Sequence, residues 1–266
     1  MLCRVMKVSK SGFYKWYLHK DLKYKDSINL EEQIKKIHES SRGTYGRRRI
    51  LSTLRKSFIN IGHKKVSKIM HKLNLCGVGK PRFKVTTKVS KQSLHSPNLI
   101  GMNFKTEKAD ELWTSDITYI PTKEGWVYLC VILDTYSRAV IGWSMQENLK
   151  QELILNSLNM AFQNRKQFKP GIIFHSDKGS QYSSKSVRKY LLANKFLQSM
   201  SNSCYENSIT ETFFATLKKE LVHRCKFYSR NEAKSAIFEY IESFYNRLRA
   251  HSAIEYMAPL EYEMKA

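Results

Sequence analysis

The sequence lacks the features that mark secreted, membrane-spanning or metal-stapled proteins. Its cysteines are odd in number, far apart and without a C-x-x-C pair: Cys3, Cys76, Cys130, Cys204 and Cys225. This pattern argues against a disulfide framework and against a zinc knuckle. The longest apolar run is the eight residues from Trp126 to Leu133, well below the roughly 20 that a bilayer span needs. The first ten residues lack the apolar stretch of a signal peptide, so we expect a cytoplasmic protein without a membrane partner.

Acidic residues are scarce in the first third of the chain. Residues 1–95 contain 24 Lys and Arg but only five Asp and Glu, a net charge of +19, whereas residues 96–266 carry a net +4. A basic excess concentrated in one segment is typical of binding to a polyanion, with nucleic acid the first candidate and an anionic membrane the second. A merely solubilising surface, the alternative, needs no such asymmetry.

Residues 31–75 have the apolar spacing of helices. Ile50, Leu54 and Phe58 are four apart and predict one buried face. The segment 63–75 spaces Val66, Ile69, Met70 and Leu73 on one side and places four lysines on the other. Two short helices joined by a turn at Gly62 are typical of a helix-turn-helix, whose second helix enters the major groove; a plain amphipathic surface helix is the alternative. The predicted DNA contacts of this region are Arg47, Arg48, Arg49, Lys64, Lys65, Lys68 and Lys72.

Beyond a polar, basic stretch the periodicity changes from helical to strand-like. We predict a basic helical DNA-binding region over 1–78, a basic linker or DNA-tracking arm over 79–105, a catalytic core over 106–225 and a C-terminal helical segment over 226–266 that completes the core. In the core, three consecutive β-branched and aromatic runs are followed by alternating helices and strands. This order predicts an α/β fold, a mixed five-stranded sheet with flanking helices.

Three carboxylates stand out in this core. Asp116 lies within an apolar strand, Asp177 ends a later strand before a glycine-bearing turn, and Glu211 shares a helix stripe with Ala215 and Lys218. Each has an ordinary alternative: a salt bridge for Asp116, a helix cap for Asp177 and a solvent-exposed face for Glu211. If the three converge, they repel one another by roughly 4 kcal/mol per pair at 4 Å. Oxygen-only ligands favour Mg²⁺ or Mn²⁺, and two such ions about 4 Å apart suit displacement at a phosphodiester.

Several long motifs occur in an order that resembles one protein family. The strings WTSDITYIPTKEGWVYLCVILDTYSRAVIGWSM, FHSDKGSQY, ETFFATLKKEL and YNRLRAHSAIEYMAPLEYE, with the upstream KVSKSGFYKWY and SRGTYGRRRI, resemble the B-frame transposases of the IS-three insertion-sequence family, relatives of retroviral integrases. The resemblance covers nearly the whole chain. It implies a ribonuclease-H-like core preceded by a small all-α helix-turn-helix-like region, and an enzyme that cleaves DNA and transfers its strands in a metal-dependent reaction.

The resemblance also implies roles for particular residues. Asp116, Asp177 and Glu211 match the acidic triad often called DDE, the ligands of two Mg²⁺ or Mn²⁺ ions, and Lys218 matches a lysine that faces DNA. Other matching positions surround the second aspartate: His175, Gly179, Ser180, Gln181 and Tyr182. For His175 we predict a structural role in shaping the turn, and for Asp134, before the turn TYSR, a turn cap. The implied partners are the element ends and target DNA, an upstream-frame protein or fusion and further copies of the chain, in a nucleoid-associated location.

Two departures from the family leave other functions open. The gap between Asp177 and Glu211 is 33 residues, whereas the family usually has 35, and no heptad segment of the upstream frame is present. These departures favour the alternative of a catalytically inactive DNA-binding remnant or a repressor of its own element. A ribonuclease-H-type nuclease that acts on hybrid duplexes is the third and weakest hypothesis.

Overall fold

The computed structural model describes residues 2–79, 96–101, 103–166, 169–201 and 204–265. The chain divides into two compact units, Met1–Gly79 and Lys80–Ala266, and each is described by itself. Residues 80–95 and 102 of the predicted basic linker lie outside the described residues. Within the described ranges, no helix is both long enough and apolar enough to cross a membrane.

The first unit is helical, as predicted, but its longest helix begins earlier than the sequence indicated. Its helices are α1 (Leu2–Val5), α2 (Lys10–Ser40), α3 (Arg47–Lys56) and α4 (His63–Lys72). The Ser9 side chain caps α2 by accepting a hydrogen bond of 3.1 Å from the Gly12 N–H. The sequence indicated a helix only from residue 31, because residues 10–30 have no clear apolar period.

The core of this unit lies between α2, α3 and α4. Ile34 of α2, Ile50 and Leu54 of α3 and Val66 of α4 are buried, as the helical spacing predicted. The prediction for Phe58 is wrong: α3 ends at Lys56, Phe58 adopts a positive φ of 59°, and its side chain is 98% exposed. The chain turns before the third apolar position of the stripe, so that position leaves the buried face.

The second unit is built on a five-stranded mixed sheet, which confirms the predicted fold class. The strands are β1 (Leu112–Thr122), β2 (Gly125–Asp134), β3 (Val140–Gln146), β4 (Ile173–Ser176) and β5 (Leu197–Met200), in the spatial order β3-β2-β1-β4-β5. β1, β2 and β3 form an antiparallel meander. β4 is parallel to β1, and β5 is parallel to β4. Parallel neighbours require crossovers, and the helices between these strands supply them.

Helices cover the sheet. They are α5 (Gln151–Asn164), α6 (Lys185–Ala193), α7 (Ser208–Glu220), α8 (Arg230–Phe238) and α9 (Pro259–Glu263), and α8 continues into a π-helix, Glu239–Tyr245. A cluster of buried side chains that includes Trp113 and Phe174 joins the sheet to α5 and α6. β3 and α5 approach so closely at Gly142 that a Cβ there would overlap the Ser157 carbonyl oxygen and lie 2.8 Å from Ala161 Cβ. Only glycine permits this packing.

The C-terminal segment is part of the second unit. Asn246 extends the edge of β3 with two side-chain hydrogen bonds of 2.9 Å, to the N–H and to the C=O of Val140. Arg249 is almost fully buried and pairs with Glu220, the last residue of α7, through Nε at 2.8 Å and Nη2 at 2.7 Å. Residues 226–266 therefore hold the far end of α7 in place.

Candidate active site

The register of the sheet brings Asp116 and Asp177 to neighbouring positions. β1 and β4 run parallel, and their last pair is Thr114 with His175. Two residues further along each chain are Asp116, inside β1, and Asp177, directly after β4 ends at Ser176. Because side chains of paired residues in parallel strands point to the same face, this register places both carboxyl groups on one side of the sheet.

Helix α7 is fixed against the same stretch of β1. The Asn207 side chain, just before the helix, donates a hydrogen bond of 2.9 Å to the Ser115 carbonyl oxygen. In the first turn, the Thr210 hydroxyl donates to the Thr114 hydroxyl at 2.9 Å. These bonds lie directly before Asp116 on β1 and directly before Glu211 on α7. Glu211, the third carboxylate, therefore lies on a helix that is anchored to β1 at the preceding residue, Thr210.

Asp116 experiences both of the other carboxylates. Burial, together with the nearby Asp177 and Glu211, raises its pKa to about 8. The Ile117 N–H, which donates to Asp116 Oδ1 at 2.7 Å, and Lys218 act in the opposite direction. The three carboxyl groups and one lysine thus interact electrostatically, and the negative charges oppose one another. Mutual repulsion of this kind is what a bound cation relieves.

The other members of the group are only partly exposed to water. Burial raises the pKa of Asp177, although its Oδ1 accepts a hydrogen bond of 3.0 Å from the Gly179 N–H, which lowers it. Burial also raises the pKa of Glu211. For Lys218 burial lowers the pKa, whereas Asp116 raises it. Glu211 therefore does not project freely into solvent, which was its ordinary alternative.

The donor set suits a hard divalent cation, although the side chains do not form a closed cage. Carboxylate oxygens are the ligands that Mg²⁺ and Mn²⁺ prefer. Among the residues that the structure describes, no three His, Cys, Asp or Glu side chains are gathered closely enough to hold a metal ion. One oxygen of each aspartate is engaged by a backbone N–H. The arrangement is a convergence of carboxylates rather than a finished ligand sphere.

His175 and Asp134 have the structural roles that the sequence suggested. His175 is buried, with Nδ1 2.9 Å from the Ser199 hydroxyl and Nε2 2.8 Å from the Glu206 carbonyl oxygen. Asp134 caps its turn, because Oδ1 accepts from the Tyr136 N–H at 2.8 Å. Both ring nitrogens of His175 are engaged within the protein, so His175 positions the segment that leads into α7.

A hydroxyl network beneath the site was not identified from the sequence. The Ser115 hydroxyl donates to the Val131 carbonyl oxygen at 2.9 Å, so the Tyr182 hydroxyl, 2.8 Å away, donates to Ser115. Tyr182 is fully buried, and burial raises its pKa. This bond ties the loop after Asp177 to β1 next to Asp116. The motif placed Tyr182 near the second aspartate, but a contact 67 residues away along the chain leaves no local signal.

The predicted DNA-contacting residues of the helical unit differ in their surroundings. Arg47, Arg48, Lys64, Lys65 and Lys68 are exposed. Arg49 is half-buried, with its guanidinium carbon 5.5 Å from the centre of the Tyr45 ring. Lys72 is exposed but forms an ion pair with Glu31 at 2.7 Å. Their contact with DNA stays a prediction, and Lys72 contributes less net charge than its position suggested.

Comparisons with known proteins found matches to both units of the chain. A family model described as an integrase core domain matches residues 106–204, a second model of that description matches 211–266, and an HTH-like domain model matches 24–83. The insertion element IS600 uncharacterized 31 kDa protein of Shigella sonnei is 37% identical over 268 residues, 99% of this chain and 98% of that protein. The transposase for insertion sequence element IS904 of Lactococcus lactis is 38% identical over 237 residues, 88% of this chain and 93% of that protein. Among solved structures, the HTLV-2 integrase catalytic core domain in complex with magnesium aligns at 16% identity and a TM-score of 0.45, over 60% of this chain and 99% of that one.

Proposed function

The chain belongs to the IS-three family of insertion-sequence transposases, and we propose that it cleaves and joins DNA at the ends of its own element through Asp116, Asp177 and Glu211. Water, and then a 3′ hydroxyl, is the nucleophile, and a phosphodiester of the DNA is the group attacked. The substrates are the element ends and the target DNA.

The observation that carries this proposal is the effect of Asp177 and Glu211 on Asp116. Both raise its pKa, so the carboxylates from the end of β4 and from α7 lie within electrostatic reach of Asp116 on β1. Lys218, half-buried on the same helix as Glu211, is a cation that interacts with Asp116. Carboxylates gathered in this way suit the binding of a further, divalent cation.

The three carboxylates are the groups that would hold Mg²⁺ or Mn²⁺, with two ions in the proposed arrangement. When bound, such ions supply charge stabilisation for the attacking and leaving oxygens. The chain itself orients the ligands: the Asn207 and Thr210 hydrogen bonds fix the start of α7, and the Tyr182 hydroxyl fixes the loop that carries Asp177.

Positive residues hold the polyanion. Lys218, on the same helix as Glu211, is the residue proposed to contact a phosphate beside the reacting one. The exposed cations of α3 and α4 supply sequence-independent attraction to DNA, with α4 as the helix for groove recognition. Assembly with an upstream-frame protein and with further copies of the chain on DNA remain predictions.

The proposal is tested by strand cleavage of a duplex that carries the end of the element and its flanking DNA. The full chain with Mg²⁺ is expected to nick this duplex. Asp116→Asn, Asp177→Asn and Glu211→Gln remove charge with little change of shape, and each is expected to reduce the rate by at least about a hundredfold, the cost typical of losing one group that stabilises transition-state charge. Glu152→Gln is the matched control, because Glu152 lies in the first turn of α5, as Glu211 lies in the first turn of α7, but Glu152 is exposed to solvent.

The possible results separate the alternatives. Cleavage by Asp116→Asn at the rate of the unsubstituted chain would show that the triad is assigned wrongly. Binding of the duplex by the unsubstituted chain, without product in Mg²⁺ or Mn²⁺, would instead favour an inactive DNA-binding protein. Circular dichroism of each variant checks that a loss of rate is not a loss of fold.

A further inference from the structure

Two large aromatic side chains lie exposed on the β1–β2 hairpin. Tyr119 of β1 is 57% exposed and Trp126 of β2 is 49% exposed. Their ring centres are 5.0 Å apart and their planes meet at 85°. Leaving two such rings in water forgoes the burial energy that aromatic residues usually provide. The pair contributes little to the core, so its placement calls for another role.

The backbone that carries these rings is held firmly. The Thr122 hydroxyl donates to the Gly125 carbonyl oxygen at 2.6 Å and closes the turn between the strands. The Lys123 N–H donates to the Phe227 carbonyl oxygen at 3.1 Å, and the Arg230 N–H donates to Glu124 Oε2 at 2.8 Å. The hairpin tip is therefore tied to the segment before α8, and the two rings are presented on a rigid support.

Lys218 links the aromatic pair to the candidate active site. Its Nζ lies 5.3 Å from the centre of the Tyr119 ring, and the same lysine interacts with Asp116. Thr114 is the last residue of β1 that pairs with β4, and β1 continues for eight residues beyond it. The edge of β1 beyond Thr114 is therefore not covered by β4. A nucleotide whose phosphate contacted Lys218 would therefore lie beside the Tyr119 ring.

We propose that Tyr119 and Trp126 form a stacking platform for one unpaired nucleobase of the DNA end, with the phosphate of that nucleotide at Lys218. The inference rests on the proposed function, since it requires a DNA strand in the site. Aromatic faces stack on any base, whereas bases inside a duplex are already covered by their neighbours, so the held base must be unpaired. The cation beside the rings complements a phosphate and makes a nucleotide the favoured occupant over an apolar protein surface.

The first test measures cleavage by the full chain. Tyr119→Ala and Trp126→Ala are each expected to slow nicking of a fully paired end by about 5- to 150-fold, the effect of losing one stacking contact. Tyr119→Phe keeps the ring and is expected to retain most of the rate. When an abasic site replaces the nucleotide that occupies the platform, the unsubstituted chain and the alanine variants should cleave at similar rates, because no base is left to hold. Scanning the abasic site across the nucleotides next to the cleavage point locates that nucleotide.

Phe238→Ala is the matched control. Phe238 is 54% exposed and forms the same kind of edge-to-face pair, with Trp143 at 6.0 Å, but Trp143 lies on the outer strand β3. Its removal is expected to leave cleavage unchanged. Unchanged cleavage of paired ends by both Tyr119→Ala and Trp126→Ala would overturn the platform while leaving the proposed function intact.

The second test does not depend on cleavage. In the full chain carrying Asp116→Asn, 5-iodouracil at the scanned positions of the duplex is expected to cross-link to Tyr119 or Trp126 on irradiation, as mass spectrometry would identify. If cross-links form at these rings but the unsubstituted chain never cleaves the duplex, the platform is supported and the proposed chemistry is refuted. Cross-links only elsewhere would overturn the platform. Loss of self-association by Tyr119→Ala without loss of cleavage would assign the pair to a contact between copies, and would also overturn it.

Discussion

The buried ion pair at the end of α7 permits a quantitative prediction. The Glu220 carboxylate accepts hydrogen bonds from Arg249 Nε at 2.8 Å, from Arg249 Nη2 at 2.7 Å and from the Tyr240 hydroxyl at 2.9 Å. The two charged side chains are only 5% and 3% exposed. Glu220→Gln keeps the shape but removes the charge, and whichever oxygen becomes the amide NH₂ then faces an Arg249 N–H, which can only donate. Arg249 is then buried without a counter-charge, which costs about 3–5 kcal/mol.

This cost corresponds to a fall in Tm of roughly 6–20 °C for a unit of this size, at about 2–4 °C per kcal/mol. Urea unfolding followed by tryptophan fluorescence measures the loss of unfolding free energy, because Trp113 is fully buried in the same unit. Glu147→Gln is the control: Glu147 pairs with Arg230 at 2.8 Å, but its side chain is 50% exposed, and exposed pairs contribute about 0–1 kcal/mol. A loss for Glu220→Gln no larger than that for Glu147→Gln would refute the argument.

Three further substitutions test other parts of the account. Asn207→Ala removes the buried hydrogen bond to the Ser115 carbonyl oxygen. It should lower the free energy of unfolding in urea by about 1–3 kcal/mol, and it should also slow cleavage, because the start of α7 is loosened. An unchanged cleavage rate would contradict the anchoring role of Asn207. Gly142→Ala forces a Cβ against the Ser157 carbonyl oxygen and Ala161 and should cost about 1–3 kcal/mol or more, whereas Gly62→Ala, with nothing within 4 Å of the added Cβ, should be nearly neutral. Replacing Lys64, Lys65 and Lys68 together by Gln should reduce the slope of log affinity for DNA against log salt by up to about 2.7, or 0.9 per lost phosphate contact; an unchanged slope would show that α4 does not contact the backbone.

Much of the fold was predictable because local patterns and the final structure agree. The apolar runs of β1 to β3, the crossover helices and the buried face of α7 all follow from periodicity in the sequence. Asp116 and Asp177 were also found locally, since a carboxylate inside or directly after an apolar strand conflicts with its surroundings and needs a compensating role. Glu211 was singled out with them from its position on a helix, and the resemblance to a family then matched all three to one acidic triad.

Other features depend on residues that are distant in sequence and have no local signal. Glu31 neutralises Lys72 from 41 positions away, so a predicted free cation is paired. Phe58 continues an apolar spacing but lies beyond the end of α3, where the backbone has turned. The aromatic pair of the hairpin was part of an ordinary strand pattern, and only its exposure and its distance from Lys218 single it out.

The most direct test of the central claim is the position of Mn²⁺ in crystals of the full chain. Anomalous diffraction is expected to place one or two ions between the carboxylates of Asp116, Asp177 and Glu211, and the peaks should disappear in crystals of Asp116→Asn. An enzyme that cleaves its DNA end but binds Mn²⁺ elsewhere, or whose Asp116→Asn variant keeps the same peaks, would contradict the account.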